Sequence, residues 1–356
     1  MLFYPVYSSF PVMLTTQITQ TYHLTTPIIS AGMAFVATPK LAAAVSNAGG
    51  MGTFSAFMSP PEELRALIRQ TRSLSDRPFG IDFITAAAND DHIAICMAER
   101  VPVVIFFWSF PPLDWVTQLQ NAGVKVWMQV GSLAEATQAK AQGFDAIIAQ
   151  GQEGGGHNRS EASIFSLLPA ICREVAPIPV IAAGGIIDGR GLVAALALGA
   201  EAVWCGTRFL ASEEAYAHPE YKARVVTATV GDTTRTTLFG PEMPGQLMRV
   251  LRNLAVNQWG DRVADATKHG PTQPAIGSTI LGGQALPMPK FSAILPTPDT
   301  SGDFEEMCLT AGESSGNITA IKSARDILWE MENEALDLLT YRLQAITKEQ
   351  NLMAAG

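Results

Sequence analysis

The fold of this chain is indicated most directly by a stretch that reads Phe144-Asp145-Ala146-Ile147-Ile148-Ala149-Gln150-Gly151-Gln152-Glu153-Gly154-Gly155-Gly156-His157. Its first half is a short apolar run, which is typical of a buried β-strand. Three consecutive glycines then allow positive φ angles and a close approach of the backbone to a ligand. The histidine behind them is a titratable imidazole at the C-terminal end of a strand, a position suited to acid–base chemistry. A plain glycine turn with a surface histidine is the other interpretation of this stretch alone.

Two later strands end in the same way, which favours the functional interpretation. Residues 179–186 read Pro-Val-Ile-Ala-Ala-Gly-Gly-Ile, and residues 202–209 read Ala-Val-Trp-Cys-Gly-Thr-Arg-Phe. Between them, Asp188 to Leu198 carries apolar residues at helical spacing and is followed by Gly199. Strands that end in glycine and lead into a helix can hold a phosphate group with their backbone N–H groups.

Eight strand candidates appear along the chain, and helical patterns separate them. Most are continuous apolar runs, as expected for parallel strands that are covered on both faces. This alternation predicts an α/β fold, a closed (β/α)8 TIM barrel, with a doubly wound open sheet as the alternative. The predicted strands are Pro27–Ala31, Gly52–Ala56, Phe79–Ile84, Val101–Trp108, Lys125–Val130, Ala146–Gln150, Pro179–Ala183 and Ala202–Phe209. The predicted helices are Thr38–Asn47, one that opens at Ser59, Asp90–Arg100, Leu113–Ala122, Ser132–Gln142, Ser163–Val175 and Asp188–Leu198.

The alternation of strand and helix breaks after the eighth strand. The sequence there predicts helices at Pro219–Ala228 and Gly245–Val256, and then a loop rich in glycine and proline from Gly270 to Asp303. From Ser323 onward, apolar residues at helical spacing predict the last outer helix of the barrel. We therefore expect a barrel formed by residues 17–212 and 311–350, an inserted lid or substrate subdomain at 213–310, and an N-terminal extension at 1–16.

Composition excludes several classes of protein. Of the 356 residues, 47% are hydrophobic and 16% are charged, so the chain can bury a large core and is not expected to be disordered. The net charge is −9 and no cluster of Lys or Arg stands out, which argues against a nucleic-acid partner. The four cysteines lack metal-ligand spacing, which predicts a reduced, cytoplasmic protein without a structural metal. No apolar run reaches the roughly 18 residues of a membrane span, and Met1 to Met13 lacks the features of a signal peptide.

In a barrel of this kind, the active site lies at the C-terminal ends of the strands. The last two strands frequently build a phosphate site there, and both end in glycine in this chain. We therefore expect a ligand that carries a phosphate, held beside a histidine. The candidate residues at this face are Gly32, Met33, Asp82, Gln129, Gln150, Gly155, Gly156, His157, Gly184, Gly185, Gly206 and Thr207.

Four motifs resemble the nitronate monooxygenase family, formerly called 2-nitropropane dioxygenases. They are Met33-Ala34 with the segment Thr38 to Gly52, then Gln150 to His157, then Ala183-Gly184-Gly185-Ile186, and then Gly206-Thr207-Arg208-Phe209. The resemblance extends from about Pro27 to Ser212 and returns weakly at Ala311 to Gly316. It implies a TIM-barrel oxidoreductase that binds FMN without a covalent bond and oxidises alkyl nitronates with O2.

The resemblance also implies roles for the candidate residues. Gly184, Gly185, Gly206 and Thr207 would hold the phosphate, and Gly32 and Met33 would lie against the isoalloxazine ring. Gln150 and Gly155 would contact the ribityl chain or the ring edge, and Asp82, Gln129 and Gly156 would also belong to the cofactor site. His157 would be the catalytic base or the polar anchor of the substrate.

Three residues depart from the pattern of the family, and they leave the reaction open. Many relatives carry Asn in place of Asp82, some offer Lys near Gln129, and Gln often stands in place of Glu313. The same flavin barrel is shared by FMN-dependent enoyl-acyl-carrier-protein reductases and NADH:quinone reductases. An NAD(P)H-dependent reductase acting on an enoyl thioester or a quinone is therefore the alternative, and a flavin-binding barrel without turnover is the second alternative. The expected partners are a small-molecule substrate and O2, with no nucleic acid and no membrane, and a homodimer is compatible with this interpretation.

Overall fold

The chain folds into a closed barrel of eight parallel strands. The computed structural model describes residues 13 to 346 except 242 and 344. The first barrel strand pairs in parallel with the last, with Ile29 opposite Trp204, and it meets the second strand at a parallel bridge between Ile29 and Met51. Because both edges of the eight-stranded sheet are joined in this way, the barrel prediction is confirmed and the open-sheet alternative is wrong.

The barrel strands lie close to their predicted positions, and three have the predicted bounds. The eighth barrel strand ends earlier than predicted, at Cys205, because the next residues form a helical turn. The fourth ends at Phe107, before Trp108, whose φ of 84° takes it out of the extended backbone. The barrel strands are β1 (Ile28–Ser30), β2 (Gly52–Ser55), β3 (Phe79–Ile84), β4 (Val103–Phe107), β5 (Lys125–Val130) and β6 (Ala146–Gln150), and then, after a short strand β7 (Gly156–His157) outside the barrel, β8 (Val180–Ala183) and β9 (Ala202–Cys205).

Helices cover the outside of the barrel, and several of them begin at a residue whose side chain accepts a hydrogen bond from a free N–H group. The Ser132 hydroxyl accepts a hydrogen bond from Glu135 N, and the Asp188 carboxylate accepts one from Gly191 N. The helices are α1 (Gln17–Tyr22), α2 (Pro39–Asn47), α3 (Pro61–Leu74), α4 (Asp90–Ala98), α5 (Leu113–Asn121), α6 (Leu133–Ala141), α7 (Ile164–Val175), α8 (Gly189–Ala197), α9 (Thr207–Leu210), α10 (Pro219–Thr227), α11 (Leu254–Trp259), α12 (Val263–His269) and α13 (Ala324–Asp337). No helix within this described part of the chain is both long and apolar enough to cross a membrane.

The helix predicted from Ser323 closes the outer ring, as expected. α13 packs between α8 and α2, that is, between the last and the first helix of the barrel. Gly189 permits this contact, because a Cβ at that position would lie 2.4 Å from Ala335 N. Gly189 N also donates to the Glu334 carboxylate at 2.8 Å.

The core has an outer layer and an inner layer, and the inner layer explains a helix that the sequence patterns did not predict. The outer layer lies between strands and helices, and the inner one fills the barrel with side chains such as Ile29, Trp127 and Ile148. The unpredicted helix, α1, joins the inner layer through Ile18 and Tyr22. Trp127 Nε1 donates to the Tyr22 hydroxyl at 3.0 Å, so the one polar atom of this buried indole is satisfied.

The segment after β9 contains more β-structure than predicted. The helix predicted at Gly245–Val256 is wrong, because residues 248–251 form a strand and only Leu254 onward is helical. The strand β11 (Met248–Leu251) pairs antiparallel with β10 (Thr233–Thr236) and, on its other edge, with β7. Apolar residues at 248, 250, 251 and 254 fit a helical spacing, but pairing with β7, a contact far away in sequence, decides the conformation.

The predicted loop from Gly270 to Asp303 contains a β-hairpin. Strands β12 (Gly277–Leu281) and β13 (Gln284–Met288) pair antiparallel across Gly282-Gly283, whose φ angles of 56° and 76° suit a two-residue hairpin turn. A short strand β14 (Ser301–Gly302) pairs with β12. Buried residues of the segment after β9, such as Phe239 and Val250, form a second core. This core also includes Val36 and Ile187, from the loops after β1 and β8. The segment therefore packs against the C-terminal face of the barrel.

Candidate active site

A cavity of about 520 Å³ lies at the C-terminal face of the barrel, within the size range of small-molecule sites. The ends of the barrel strands form its floor, and residues from the segment after β9, such as Met248 and Ile294, form part of its wall. The structure brings all twelve candidate residues to this one cavity. They are Gly32, Met33, Asp82, Gln129, Gln150, Gly155, Gly156, His157, Gly184, Gly185, Gly206 and Thr207.

The glycine-rich loop after β6 is held in place by buried side chains. Asn158 Nδ2 donates to the carbonyl oxygens of Gly151 and Gly154, at 2.9 and 3.1 Å. The Glu153 carboxylate accepts from the Ser163 hydroxyl at 2.6 Å and from Ile164 N at 3.1 Å, which caps the start of α7. These bonds fix the loop against the barrel, so its backbone presents a preformed surface to the cavity.

Three glycines, one after β6 and two after β8, show why the loops around the cavity need glycine. A Cβ at Gly155 would lie 2.5 Å from Gly312 N, so only glycine permits this approach of two backbones. Gly184 and Gly185 have φ angles of 104° and 74°, in the region that other residues rarely adopt. Because no side chains cover them, the N–H groups of this turn can approach a ligand.

The turn after β9 is tied to the returning chain. Thr207 Oγ1 accepts a hydrogen bond from Gly312 N at 2.9 Å. The hydroxyl hydrogen of Thr207 is not used in this bond and remains available for donation. Gly206 precedes it, at the start of α9, and both residues line the cavity. These residues therefore offer hydrogen-bond donors that suit a phosphate, and their role in binding the phosphate stays a prediction.

His157 lies in a strand of the inserted sheet, which sequence reasoning did not predict. As part of β7 it pairs with Met248 of β11, so the segment after β9 positions this side chain. The Trp108 ring packs edge-on against the imidazole, with ring centroids 4.2 Å apart. His157 Nε2 is buried and has no hydrogen-bond partner among the described residues. Burial lowers the pKa of His157 from 6.5 to about 4, so the imidazole is neutral near pH 7.

Asp82 is the second titratable side chain in the cavity. Its Oδ1 is buried without a hydrogen-bond partner in the described part of the chain, and burial raises the pKa of this carboxyl from 3.8 to about 8. Among the described residues that line the cavity, Asp82 and His157 are the only titratable ones. The polar side chains of the cavity also include the uncharged amides of Gln129 and Gln150, and Gln150 Nε2 donates to His157 O at 3.4 Å.

The three aromatic residues at the end of β4 lie in different surroundings. Phe106 is fully buried in the outer core, whereas Phe107 lines the cavity. Trp108 follows the strand with a positive φ, and its ring stacks on Phe107. Arg159 donates to Trp108 O, which helps to hold this turn beside His157.

Several lining residues were missed because nothing in their local pattern marks them. Phe57 and Met58 follow β2, and Ala293 to Leu295 belong to the segment that was predicted as a loop rich in glycine and proline. They reach the cavity only through tertiary packing.

Glu313 is not one of the residues that line the cavity. Its carboxylate lies 3.9 Å from the Arg249 guanidinium, and that guanidinium also donates to Gln152 O on the glycine-rich loop.

A glycine-lined cavity at the C-terminal face of a closed (β/α)8 barrel defines a TIM-barrel enzyme. The model of one family, described as nitronate monooxygenase, matches residues 15–91 and 81–334. The chain therefore belongs to the nitronate monooxygenase family and is an oxidoreductase.

Similar proteins carry different substrate names. A nitronate monooxygenase from Paraburkholderia phytofirmans is 34% identical over 274 residues, which cover 64% of this chain and 74% of the relative. A (3aS,4S,5R,7aS)-5-hydroxy-7a-methyl-1-oxo-octahydro-1H-indene-4-carboxyl-CoA dehydrogenase from Mycobacterium tuberculosis is 30% identical over 355 residues, 92% of this chain and 97% of the relative. Among solved structures, FabK from Thermotoga maritima aligns with a TM-score of 0.78 at 34% identity, covering 94% of this chain and 99% of that one.

Proposed function

We propose that the protein is an FMN-dependent nitronate monooxygenase, which oxidises alkyl nitronates with O2. One observation carries the proposal: in a member of this family, the glycine-bearing ends of β6, β8 and β9 meet His157 around a single cavity. The similarity to a nitronate monooxygenase supports the substrate class.

The residues around the cavity fit FMN. Backbone turns without side chains, at Gly184-Gly185 and Gly206-Thr207, suit a phosphate that is bound through N–H groups. Asp82 Oδ1 and His157 Nε2 are buried polar atoms without hydrogen-bond partners within residues 13–346 as described, and a ligand that can hydrogen-bond would satisfy them. In this proposal Gly32 and Met33 lie against the ring, Gln150, Gly155 and Gly156 contact the ribityl chain, and Asp82 and Gln129 meet the ring edge.

FMN would supply the capacity to take electrons from the substrate and pass them to O2. The protein would position the nitronate, exclude water and hold the hydrogen-bond partners. His157 is suited to positioning, because the edge of Trp108 and the backbone pairing with Met248 fix its imidazole. As the Nε2–H tautomer, it would donate a hydrogen bond to an oxygen of the nitro group.

The low pKa of His157 favours a nitronate over a neutral nitroalkane as the substrate. A general base works best when its pKa lies near the working pH, and an imidazole with a pKa of about 4 is a weak acceptor for a proton from carbon. A nitronate has already lost that proton, so the reaction would not require a strong base. We therefore assign His157 as the polar anchor of the substrate.

We also infer that residues 213–310 act as a lid that selects the substrate. Met243, Met248 and Ala293 to Leu295 bring apolar side chains of this segment to the cavity, whereas the glycine turns belong to the barrel. Ile294→Ala should therefore change the relative KM values for short and long alkyl nitronates and leave FMN affinity unchanged. Leu286→Ala is the matched control, because Leu286 is an exposed residue of β13 in the same segment. Equal effects of the two variants on substrate choice would contradict the lid assignment.

A second candidate is an oxidoreductase that acts on an acyl-CoA thioester. The relative named as a CoA dehydrogenase aligns over 92% of this chain and 97% of its own length, which is wider coverage than the nitronate monooxygenase gives. The apolar wall that Phe57, Met58 and Ile294 form would suit a large hydrocarbon group. Steady-state assays with an acyl-CoA or enoyl-CoA, with and without NADH, test this candidate.

Cofactor release and one variant test the main proposal. The denatured protein should release FMN and not FAD, because the site has turns for one phosphate. His157→Ala should keep the flavin and lose activity on the order of 10²–10³-fold, as when one preorganised hydrogen-bond donor is removed. His269→Ala, at an exposed histidine, is the control. Release of FAD, or full activity of His157→Ala, would contradict the assignment.

A further inference from the structure

Asp82 faces the cavity from the inner side of β3. Its neighbours Ile81 and Phe83 belong to the outer core, so Asp82 faces the opposite side of the strand. Its Oδ1 is buried and has no hydrogen-bond partner among the residues that the structure describes. The strand fixes where this carboxyl lies, since β3 is paired on both edges, with β2 and with β4.

The loop after β1 leaves space for this carboxyl. A Cβ at Gly32 would lie 2.3 Å from Asp82 Cβ and 2.8 Å from Asp82 Oδ2, so any other residue there would collide with it. Gly32 itself lines the cavity beside Asp82. The carboxyl is therefore held at the cavity surface, between a barrel strand and the backbone of the first loop.

The surroundings offer no charge that would stabilise a carboxylate. Ser55 and Ile105, which lie opposite Asp82 on the adjoining strands, are uncharged. Among the described residues that line the cavity, the other titratable group is His157, which is neutral near pH 7, and the polar side chains, such as Ser55, Gln129 and Gln150, are uncharged. An unpaired carboxylate in such a place is costly, so the protonated form is favoured.

We propose that Asp82 acts as a neutral carboxylic acid that donates a hydrogen bond to an acceptor atom on the edge of the bound isoalloxazine ring. This inference rests on the proposed function, because it requires FMN in the cavity. The inference adds a pH dependence to the proposed function. Because the carboxylic acid of Asp82 can lose the proton that it donates, the affinity for FMN depends on pH. An amide at the same position would donate in the same way but would not ionise.

The size of the effect follows from the ionisation of Asp82. With a pKa of about 8 and donation only from the acid, raising the pH from about 7 to about 9 should weaken FMN binding roughly tenfold. The second ionisation of the phosphate, with a pKa of about 6, is nearly complete over this range and contributes little. Asp82→Asn should bind FMN at both pH values with no such slope. Asp82→Ala should bind more weakly than Asp82→Asn at both values.

The test is a titration of the full chain, freed of flavin, with FMN at several pH values, followed by quenching of flavin fluorescence. Any ionisation of the flavin itself is shared by Asp82→Asn, so the difference between the two slopes reports Asp82. Thermal melts of each variant check that it is folded. A wild-type slope equal to that of Asp82→Asn, or binding that tightens as the pH rises, would overturn the inference. Failure of the wild type to bind FMN at any pH would instead refute the proposed function.

Discussion

Because His157 is buried, we expect the protein to lose stability in mild acid, and we attribute this loss to the protonation of this one side chain. The unfolded chain protonates histidine near pH 6.5, whereas the folded protein binds that proton only near pH 4. Between these values the unfolded state therefore holds more protons, so the free energy of unfolding falls as the pH falls. The stability that the neutral imidazole of His157 contributes is complete above about pH 6.5 and is lost progressively as the pH falls toward 4.

The magnitude follows from the two pKa values. At about pH 5, the unfolded histidine is almost fully protonated and the folded one is about one-tenth protonated, which corresponds to roughly 2 kcal/mol of lost stability. At about pH 7.5 the stability lost through protonation of His157 is less than roughly 0.1 kcal/mol. His157→Asn cannot take up this proton and should lack the loss.

Urea denaturation of the flavin-free protein at both pH values measures this difference. The wild type should lose about 2 kcal/mol more than His157→Asn on going from about pH 7.5 to about pH 5. His269→Asn, at an exposed histidine, controls for the removal of a histidine as such. If the wild type and His157→Asn responded equally to pH, the imidazole would be well solvated, and its assignment as a buried neutral anchor would be wrong.

Three further variants test the loops around the cavity. Gly185→Asp should abolish FMN binding, measured by fluorescence titration, because it places a carboxylate in a turn whose φ is 74° and which would receive the phosphate; retained affinity would remove this turn from the phosphate site. Gly155→Ala should lower the melting temperature, at a cost of about 1–3 kcal/mol, because the new Cβ would lie 2.5 Å from Gly312 N; an unchanged melt would contradict the packing. Arg249→Met should weaken FMN binding as well as stability, because it removes the buried donors to Gln152 O that hold the glycine-rich loop; a loss of stability alone would separate Arg249 from the site.

The barrel was predictable because its strands carry a strong local signal. Parallel strands buried on both faces are continuous apolar runs, and three of them, Phe79–Ile84, Lys125–Val130 and Ala146–Gln150, have the predicted bounds. The glycines at their ends were informative for a physical reason, since Gly184 and Gly185 adopt φ angles that favour glycine. Because carboxyl ends of parallel strands meet at one face, the candidate residues could be placed together before their contacts were known.

The inserted segment was less predictable because its strands depend on distant partners. Met248–Leu251 pairs with Gly156–His157, almost a hundred residues earlier, and no local pattern encodes that contact. The hairpin around Gly282-Gly283 did carry a recognisable turn signal, which the surrounding glycines and prolines obscured. The low pKa of His157 and the raised pKa of Asp82 likewise follow from burial, which the sequence does not display.

Anaerobic mixing tests the proposal that FMN binds in this cavity and that a nitronate is oxidised there. The FMN-loaded protein should be mixed without oxygen with an alkyl nitronate and, separately, with NADH, while the visible absorbance of the flavin is followed. We expect the nitronate to bleach the flavin rapidly, O2 then to restore the colour, and NADH to have little effect. Rapid bleaching by NADH with no response to the nitronate would contradict it and favour a reductase.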